Sequence, residues 1–207
     1  MKERSKIIGH IISADAFNKY AVRVFKKGET DPSPKPEDYT PASFVIIKLN
    51  KEEELKKGIV GIISDVMLYN PDYSEYLSAM EKKYVEVFSP DLYHEQATLL
   101  IVLAVGSMER KRDKLTWRQE IVGFLPDFHA EVFQMREDEI RSFHYPAPEE
   151  KKFLISYLPY LKKMREFQKG HLLHAFLDKL SQFLPEQKEK IKILQKQMDW
   201  ELRMKSL

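Results

Sequence analysis

Six short segments rich in β-branched and aromatic residues constrain the fold of this chain more than any other feature of its sequence. Most of them are apolar on both faces, and glycines interrupt several. Glycine within a strand permits the tight bends of barrel corners, so the pattern predicts a small closed β-barrel. Strands that are apolar on both faces suit a barrel whose outside is covered or packed against a neighbour. The predicted strands cover residues 6–13, 20–25, 43–49, 58–68, 98–105 and 131–134.

Two other parts of the first 146 residues have distinct patterns. Residues 27–41 contain four prolines separated by Asp, Glu, Ser and Gly, which predicts a long, extended and mobile loop between two strands. Residues 71–83 and 136–143 carry helix-like patterns. The sequence YPAP at 145–148 would break any helix and marks a boundary. We therefore predict an α+β protein with a barrel domain over residues 1–146 and an α-helical tail over residues 147–207.

The tail contains three apolar stripes with helical spacing. The first stripe runs through residues 149–169 and contains Pro159, which predicts a kink or a new start there. The second ends at Pro185, and the third begins there, because proline is favoured in the first turn of a helix. Three amphipathic helices joined by tight turns form a helical hairpin or a small bundle, which packs on itself or on the barrel.

The charge and the composition exclude several classes of protein. The 207 residues carry a net charge of +2, which argues against a polycation, and the absence of cysteine excludes disulfides and thiolate metal sites. The segment after Pro148 has 13 basic and 8 acidic residues, so the charge is +5 in the tail and −3 in the remainder. The 32% of charged residues are compatible with a heat-adapted cytosolic protein.

No segment predicts insertion into a membrane. The longest apolar run, residues 97–105, is far shorter than the roughly 20 residues that span a bilayer. The first ten residues, MKERSKIIGH, lack the apolar stretch of a secretory signal. We therefore expect a cytoplasmic protein with no membrane partner.

Four segments carry a resemblance to a known family. They are IIGHIISAD, ASFVIIKL, GIVGIISDV and GFLPDFHAEVFQMREDEIRSF. Their order and spacing over residues 4–145 resemble the HAS-barrel, the N-terminal barrel of HerA-type hexameric DNA translocases and rotary ATP synthase subunits. In that family the barrel is an assembly device, which packs against its neighbours in a ring and docks a partner nuclease. In the translocases a P-loop ATPase domain follows, whereas this chain has no G-x-x-x-x-G-K-[ST] sequence, so ATP hydrolysis is not carried over.

The most basic short segment of the chain, residues 108–118, offers an alternative function. It reads as a loop between strands, and its cations surround one tryptophan. Cations that contact phosphates and an aromatic ring that stacks on bases would form a single-stranded nucleic-acid-binding face on an OB-like barrel. The structural alternative is a solvated loop with the tryptophan anchored in the core. The candidate residues are Arg110, Lys111, Arg112, Lys114, Trp117 and Arg118.

The last predicted helix carries a candidate protein interface. Ile191, Leu194, Met198 and Leu202 lie on one face, and a row of lysines lies beside them at Lys188, Lys192 and Lys196. These apolar positions either pack within the chain or form a helix contact with a partner. The lysine row is either a solvated face or a contact for nucleic acid.

Catalytic and metal-binding signals are weak. His171 and His174 share a helix face with Asp178 one turn further, a geometry that could bind one metal ion, but the general-base glutamate of an H-E-x-x-H motif is missing. Asp65 is the only acid placed clearly at a strand end. We predict no catalytic residue, cofactor or metal site. The expected function is a non-enzymatic adaptor that oligomerises, or that docks a partner ATPase or nuclease in DNA processing.

Overall fold

A computed structural model describes most of the chain. The described residues are 5–49, 52, 54–69, 97–112, 114–120, 122–146, 152–168 and 171–205. The helix predicted at residues 71–83 lies outside them.

Six antiparallel strands close into a β-barrel, which confirms the predicted fold class. The order around the barrel is β2-β1-β7-β3-β4-β5, and β5 pairs with β2 to complete the ring. Among the described strands, β6 pairs with β5 alone and extends it as a hairpin outside the ring. The strands are β1 (Ile7–Ala16), β2 (Lys19–Val24), β3 (Phe44–Lys48), β4 (Lys57–Tyr69), β5 (Ala97–Lys111), β6 (Lys114–Arg118) and β7 (Glu131–Gln134).

The basic segment at residues 108–118 is therefore a β-hairpin, and its interpretation as a loop was wrong. Strand β5 continues to Lys111, and β6 returns beside it with Met108 opposite Trp117 and Lys111 opposite Lys114. Arg112, in the turn, has a φ of 53°. The charged residues hid the strand pattern, because only every second side chain of this hairpin faces an apolar layer.

The barrel strands are apolar on both faces because each face belongs to a different core. Val45 and Ile47 point into the barrel, where they pack with Ile8, Val22 and other interior side chains. The alternating residues, such as Phe44 and Ile46, point outward into a second core that includes helical residues of the tail. The outside of this wall is thus covered by the chain's own helices.

The helices follow the last barrel strand. They are α1 (Glu137–His144), α2 (Leu158–Leu161), α3 (Arg165–Gln168), α4 (His171–Phe183) and α5 (Lys188–Lys205), with 3-10 turns at Pro36–Tyr39 and Pro185–Gln187. Helix α1 matches the prediction at residues 136–143. Of the two outcomes predicted for Pro159, a kink or a new start, the structure has the new start: α2 begins at Leu158 with Pro159 in its first turn, and α3 follows. The helix predicted before Pro159 is wrong in the described part, because residues 152–157 are not helical.

The outer core contains the apolar side chains of α4 and of the residues after it. They are Leu173, Phe176, Leu177, Leu180, Leu184, Ile191 and Met198. The second and third predicted stripes are therefore packed on the barrel wall and on each other. No helix in the described ranges is long and apolar enough to cross a bilayer.

Candidate functional site

One end of the barrel carries a basic segment and several exposed apolar side chains. The antiparallel pairing brings six strand termini to one end of the barrel, as the registers of Leu103 with Lys19 and of Ile47 with Val132 show. They are the last residues of β1, β3 and β5 and the first residues of β2, β4 and β7. This end therefore carries the β1–β2 turn, the β5–β6 hairpin and the loop at residues 119–130. We call it the capped end.

The loop at residues 119–130 closes this end over the barrel interior. Val122 is buried in the interior core. The loop is tied to β1 by two backbone hydrogen bonds: His129 N donates to Ile11 O at 2.9 Å, and Ile11 N donates to Ala130 O at 3.0 Å. The loop is thus anchored to β1 by its backbone and to the barrel interior by the side chain of Val122.

Four large apolar side chains are exposed at the capped end. Phe17, in the β1–β2 turn, is 52% exposed, and in the loop Phe124 is 39%, Leu125 58% and Phe128 76% exposed. Apolar side chains scattered singly over a surface are ordinary, whereas a group at one end of a fold indicates a contact surface. The sequence signal was GFLPDF, an apolar cluster within a loop that contains Gly and Pro, and sequence reasoning missed it as a site.

The basic hairpin lies at the same end. Arg110, Lys111, Arg112, Lys114 and Arg118 are all exposed. On one face of the hairpin, a cleft of about 300 Å³ is lined by Lys57, Lys111, Arg118, Glu109, Glu120 and Phe124, among others. Lys111 Nζ lies 3.2 Å from a carboxylate oxygen of Glu109, and Lys57 Nζ lies 5.0 Å from the centre of the Phe124 ring. The structure therefore joins cations with an exposed aromatic ring, as a nucleic-acid or acidic partner would require.

Trp117 does not belong to this surface. Its side chain is only 5% exposed and packs in the outer core, with its ring 6.1 Å from that of Phe143. Stacking on a base would require an exposed indole face. The predicted stacking role of Trp117 is therefore wrong, and the exposed rings nearest the cations belong to the loop at residues 119–130.

The predicted interface on the last helix faces inward. Ile191 and Met198 are buried in the chain's own core, and Leu194 packs against it; the side chain of Leu202 lies outside the described part. The apolar side chains that α5 exposes are Ile193, Trp200 and Met204. Lys188, Lys192 and Lys196 are exposed, with Lys192 Nζ 3.0 Å from Glu189.

The histidines of α4 are not assembled as a metal site. His174 Nε2 lies 2.8 Å from an oxygen of Asp199 on α5, and Asp178 accepts a hydrogen bond from Gln195. Within the described ranges, no three His, Asp or Glu side chains are grouped so that they could hold a metal ion.

A pair of imidazoles lies where the capping loop meets the barrel wall. The rings of His10 and His129 have centres 5.2 Å apart. Burial, and then the positive charges of Arg23 and His129, lower the pKa of His10. The lowered pKa favours the neutral form of the His10 imidazole.

No curated protein matches the chain. A family model described as a domain of unknown function, DUF8166, matches residues 1–207. Because the match spans the whole sequence, the chain belongs to the DUF8166 family.

Proposed function

We propose that this protein is a non-enzymatic assembly module, which self-associates through its capped end and so forms a platform for a partner ATPase or nuclease in DNA processing. The observation that carries the proposal is the group of exposed apolar side chains at that end, formed by Phe17, Phe124, Leu125 and Phe128. The resemblance to the HAS-barrel, in which the barrel packs against its neighbours in a ring, supports the same function.

Charge supports a second copy of the chain as the occupant of the capped end. Residues 1–148 carry a net charge of −3, although residues 109–118 alone carry +3. The remainder of the barrel domain is thus acidic and complementary to the basic hairpin. When the hairpin of one copy contacts the acidic part of the next, the two copies form a head-to-tail contact. Repeated contacts of this kind close into a ring if the rotation between neighbouring copies divides a full turn evenly.

Light scattering coupled to size-exclusion chromatography tests the self-association. We expect masses that are multiples of 24.5 kDa, and dissociation as salt is raised from about 0.05 M to about 1 M, because salt screens the charges. Replacing Leu125 and Phe128 by Asp should give a monomer. A matched double variant, Ile193→Asp with Trp200→Asp, removes two equally exposed apolar side chains on α5 and should leave the assembly intact.

Two results would contradict the proposal. A strict 24.5 kDa monomer at every concentration, with no ATPase or nuclease from the same cell bound to it, rules out an assembly module. Loss of assembly in the α5 variant, but not in the loop variant, would show that the interface lies on α5 and not at the capped end.

Binding of single-stranded nucleic acid is the second candidate function. It is favoured by the five exposed cations of the hairpin and by the exposed ring of Phe124, which lines a cleft together with Lys111 and Arg118. Anisotropy of a labelled oligothymidine would show binding that weakens steeply with salt. Arg110→Ala with Arg118→Ala should weaken it, whereas Lys188→Ala with Lys196→Ala on α5 should not. No binding at low salt rejects this function.

We further propose that the protein acts in the cytoplasm of a heat-adapted cell. The proposal is supported by the high proportion of charged residues and by the absence of cysteine from the sequence. Thermal unfolding above about 80 °C would agree with it, whereas a midpoint within the usual mesophilic range of about 45–65 °C would contradict it.

A further inference from the structure

The outer face of α5 carries a narrow apolar stripe that the described part of the chain leaves exposed. Ile193 is 65%, Trp200 63% and Met204 53% exposed, and the exposed side chain of Gln197 lies between them. The intervals along these four residues are four, three and four, so at 3.6 residues per turn they lie within about 60° of arc. Side chains with this spacing form the contact line of a coiled coil, on which one partner helix packs. We call these four residues the α5 seam.

The opposite side of the same helix attaches α5 to its own chain. Ile191 and Met198 are buried in the outer core, and Leu194 packs against it. The helix is therefore already folded and fixed in place by its inner face. A partner that docks on the outer face pays little for ordering this chain, because the helix exists before the partner arrives.

Lysines border the α5 seam on both sides. Lys190 precedes Ile193 by three residues and Lys196 follows it by three residues, so the two lysines lie on opposite sides of the seam, and both are exposed. The helix as a whole, residues 188–205, contains six basic and three acidic residues, a net charge of +3.

The acids of α5 leave this excess of positive charge in place, because each of them already contacts a basic side chain. The pairs are Glu189 with Lys192, Asp199 with His174, and Glu201 with Lys162. The hydrogen bond from Lys192 lowers the pKa of Glu189, and the positive charges of Lys192, Lys188 and Lys196 lower it further. The field along this face of the helix is thus positive.

Charge complementarity selects the occupant of the α5 seam. Two copies of α5 packed seam to seam would bring the lysines of one copy against those of the other, and like charges across an interface oppose the contact. A helix that lies on a lipid surface buries a broad apolar face, whereas this seam is only about 60° wide. A partner helix with acidic residues on both sides of its own apolar stripe fits both the width and the charge.

We propose that the α5 seam docks an acidic amphipathic helix of a partner protein. The apolar stripe of the partner packs on Ile193, Trp200 and Met204, and its carboxylates pair with Lys190 and Lys196. The seam and the capped end share no residue, so the proposal does not rest on self-association through the capped end.

A synthetic peptide is the probe. It has about 21 residues, with Leu at the a and d positions of each heptad and Glu at the e and g positions, which also keep it from pairing with itself. The fluorescence of Trp200 reports binding, because this indole is exposed, whereas Trp117, the other tryptophan of the chain, is buried. We expect a saturable blue shift and protection from acrylamide, with a Kd of about 10–100 µM that rises with salt.

Reversal of charge on both partners is the decisive control. The same peptide with Lys in place of Glu should not bind the wild type. Lys190→Glu with Lys196→Glu should weaken binding of the acidic peptide by about tenfold and create binding of the basic one. Because this variant gains one ligand as it loses the other, misfolding cannot account for the result.

A matched pair of variants locates the apolar contact. Ile193→Ala with Met204→Ala should weaken binding of the acidic peptide by about tenfold. Leu125→Ala with Phe128→Ala removes two equally exposed apolar side chains at the capped end and should leave the binding unchanged.

Three outcomes would overturn the proposal. The first is no change in Trp200 fluorescence with up to about 1 mM acidic peptide. The second is equal binding of the acidic and basic peptides, because charge would then select nothing. The third is binding to phosphatidylserine vesicles that is stronger than binding to the acidic peptide and is lost in Ile193→Ala with Met204→Ala, which would make the seam a lipid contact. None of these outcomes bears on self-association, which light scattering measures separately.

Discussion

His144 is completely buried and uses both nitrogens of its ring. Nδ1 lies 2.7 Å from the Ile140 carbonyl oxygen and Nε2 lies 2.6 Å from the Tyr157 hydroxyl. Because a carbonyl oxygen can only accept, Nδ1 carries the proton and Nε2 accepts from the tyrosine. Burial lowers the pKa of His144 to about 4 and raises the pKa of Tyr157 well above its ordinary value, so both groups are neutral at pH 7.

The depressed pKa predicts that acid destabilises the protein through His144. In the unfolded chain this imidazole has its ordinary pKa of 6.5, so between pH 6.5 and pH 4 the unfolded state binds more protons than the folded state. The stability due to neutral His144 is present above pH 6.5 and is lost as the pH falls to 4, by about 3 kcal/mol. Urea unfolding measured across this range should show the loss.

Other groups titrate in the same range, so the assignment to His144 needs its own control. His144→Gln should lower the stability at pH 7 but flatten the slope between pH 6.5 and pH 4. The imidazole resonances of His144 should stay nearly unchanged down to about pH 5. Titration of this ring near pH 6.5 would contradict the prediction.

At the scale of single elements, the β5–β6 hairpin depends on a close approach of its backbone to helix α1. A Cβ atom added at Gly106 would lie 2.2 Å from the Arg118 carbonyl oxygen and 2.8 Å from the Phe143 ring. The carbonyl belongs to the paired strand and cannot move away without breaking the ladder. We therefore expect Gly106→Ala to destabilise the fold by about 1–3 kcal/mol in urea unfolding.

Gly123 in the capping loop provides the matched control. A Cβ atom there would meet no atom of the described chain within 4 Å apart from its sequence neighbours, and the φ of Gly123 is not in the left-handed region. Gly123→Ala should leave the free energy of unfolding within about 0.5 kcal/mol of the wild type. An equal loss in both variants would show that the close contact at Gly106 has no special cost.

Gln119 ties the hairpin to the start of the tail. Its Nε2 donates to Phe143 O at 3.0 Å and to Leu154 O at 2.9 Å, and its Oε1 accepts from Ser156 N at 2.6 Å. Gln119→Leu should destabilise the fold by about 1–3 kcal/mol, because backbone groups lose their partners. Hydrogen exchange at Ser156 should accelerate in this variant and stay unchanged in Gln197→Leu. Unchanged exchange at Ser156 would show that the bond is not formed in solution.

The sequence predicted the barrel strands well and the contact surface poorly, for physical reasons. An apolar run such as that of β3 indicates directly that both faces of the strand are buried. The spacing of Ile191 and Met198 likewise indicates that they are buried, but it does not show whether they pack within this chain or against another. Trp117 shows the opposite error. The charges around it indicated an exposed surface, but side chains along β6 point alternately to the two faces of the strand, and the indole faces the core.

For the whole molecule, the outer core decides whether the barrel and the tail are separable. Phe44 and Val60 of the barrel wall share this core with Phe176 and Leu180 of α4. Lys179 adds polar contacts across the same boundary, since its Nζ donates to Thr40 Oγ1 at 2.6 Å and to Ser43 Oγ at 2.9 Å. A continuous apolar layer thus joins the two domains predicted on either side of residues 146 and 147. Unfolding experiments can test whether the barrel and the tail fold independently.

We expect the whole chain to unfold in one cooperative transition, because neither side of the outer core can keep its apolar surface buried without the other. Phe176→Ala should remove about 3–5 kcal/mol and lower the single calorimetric midpoint by about 10 °C, although the residue lies in the tail. The fragment 1–146 should bind a hydrophobic dye and lack that transition, since Phe44 and Ile46 would face water. Two separate transitions, with only the smaller one shifted by Phe176→Ala, would instead establish two independent domains.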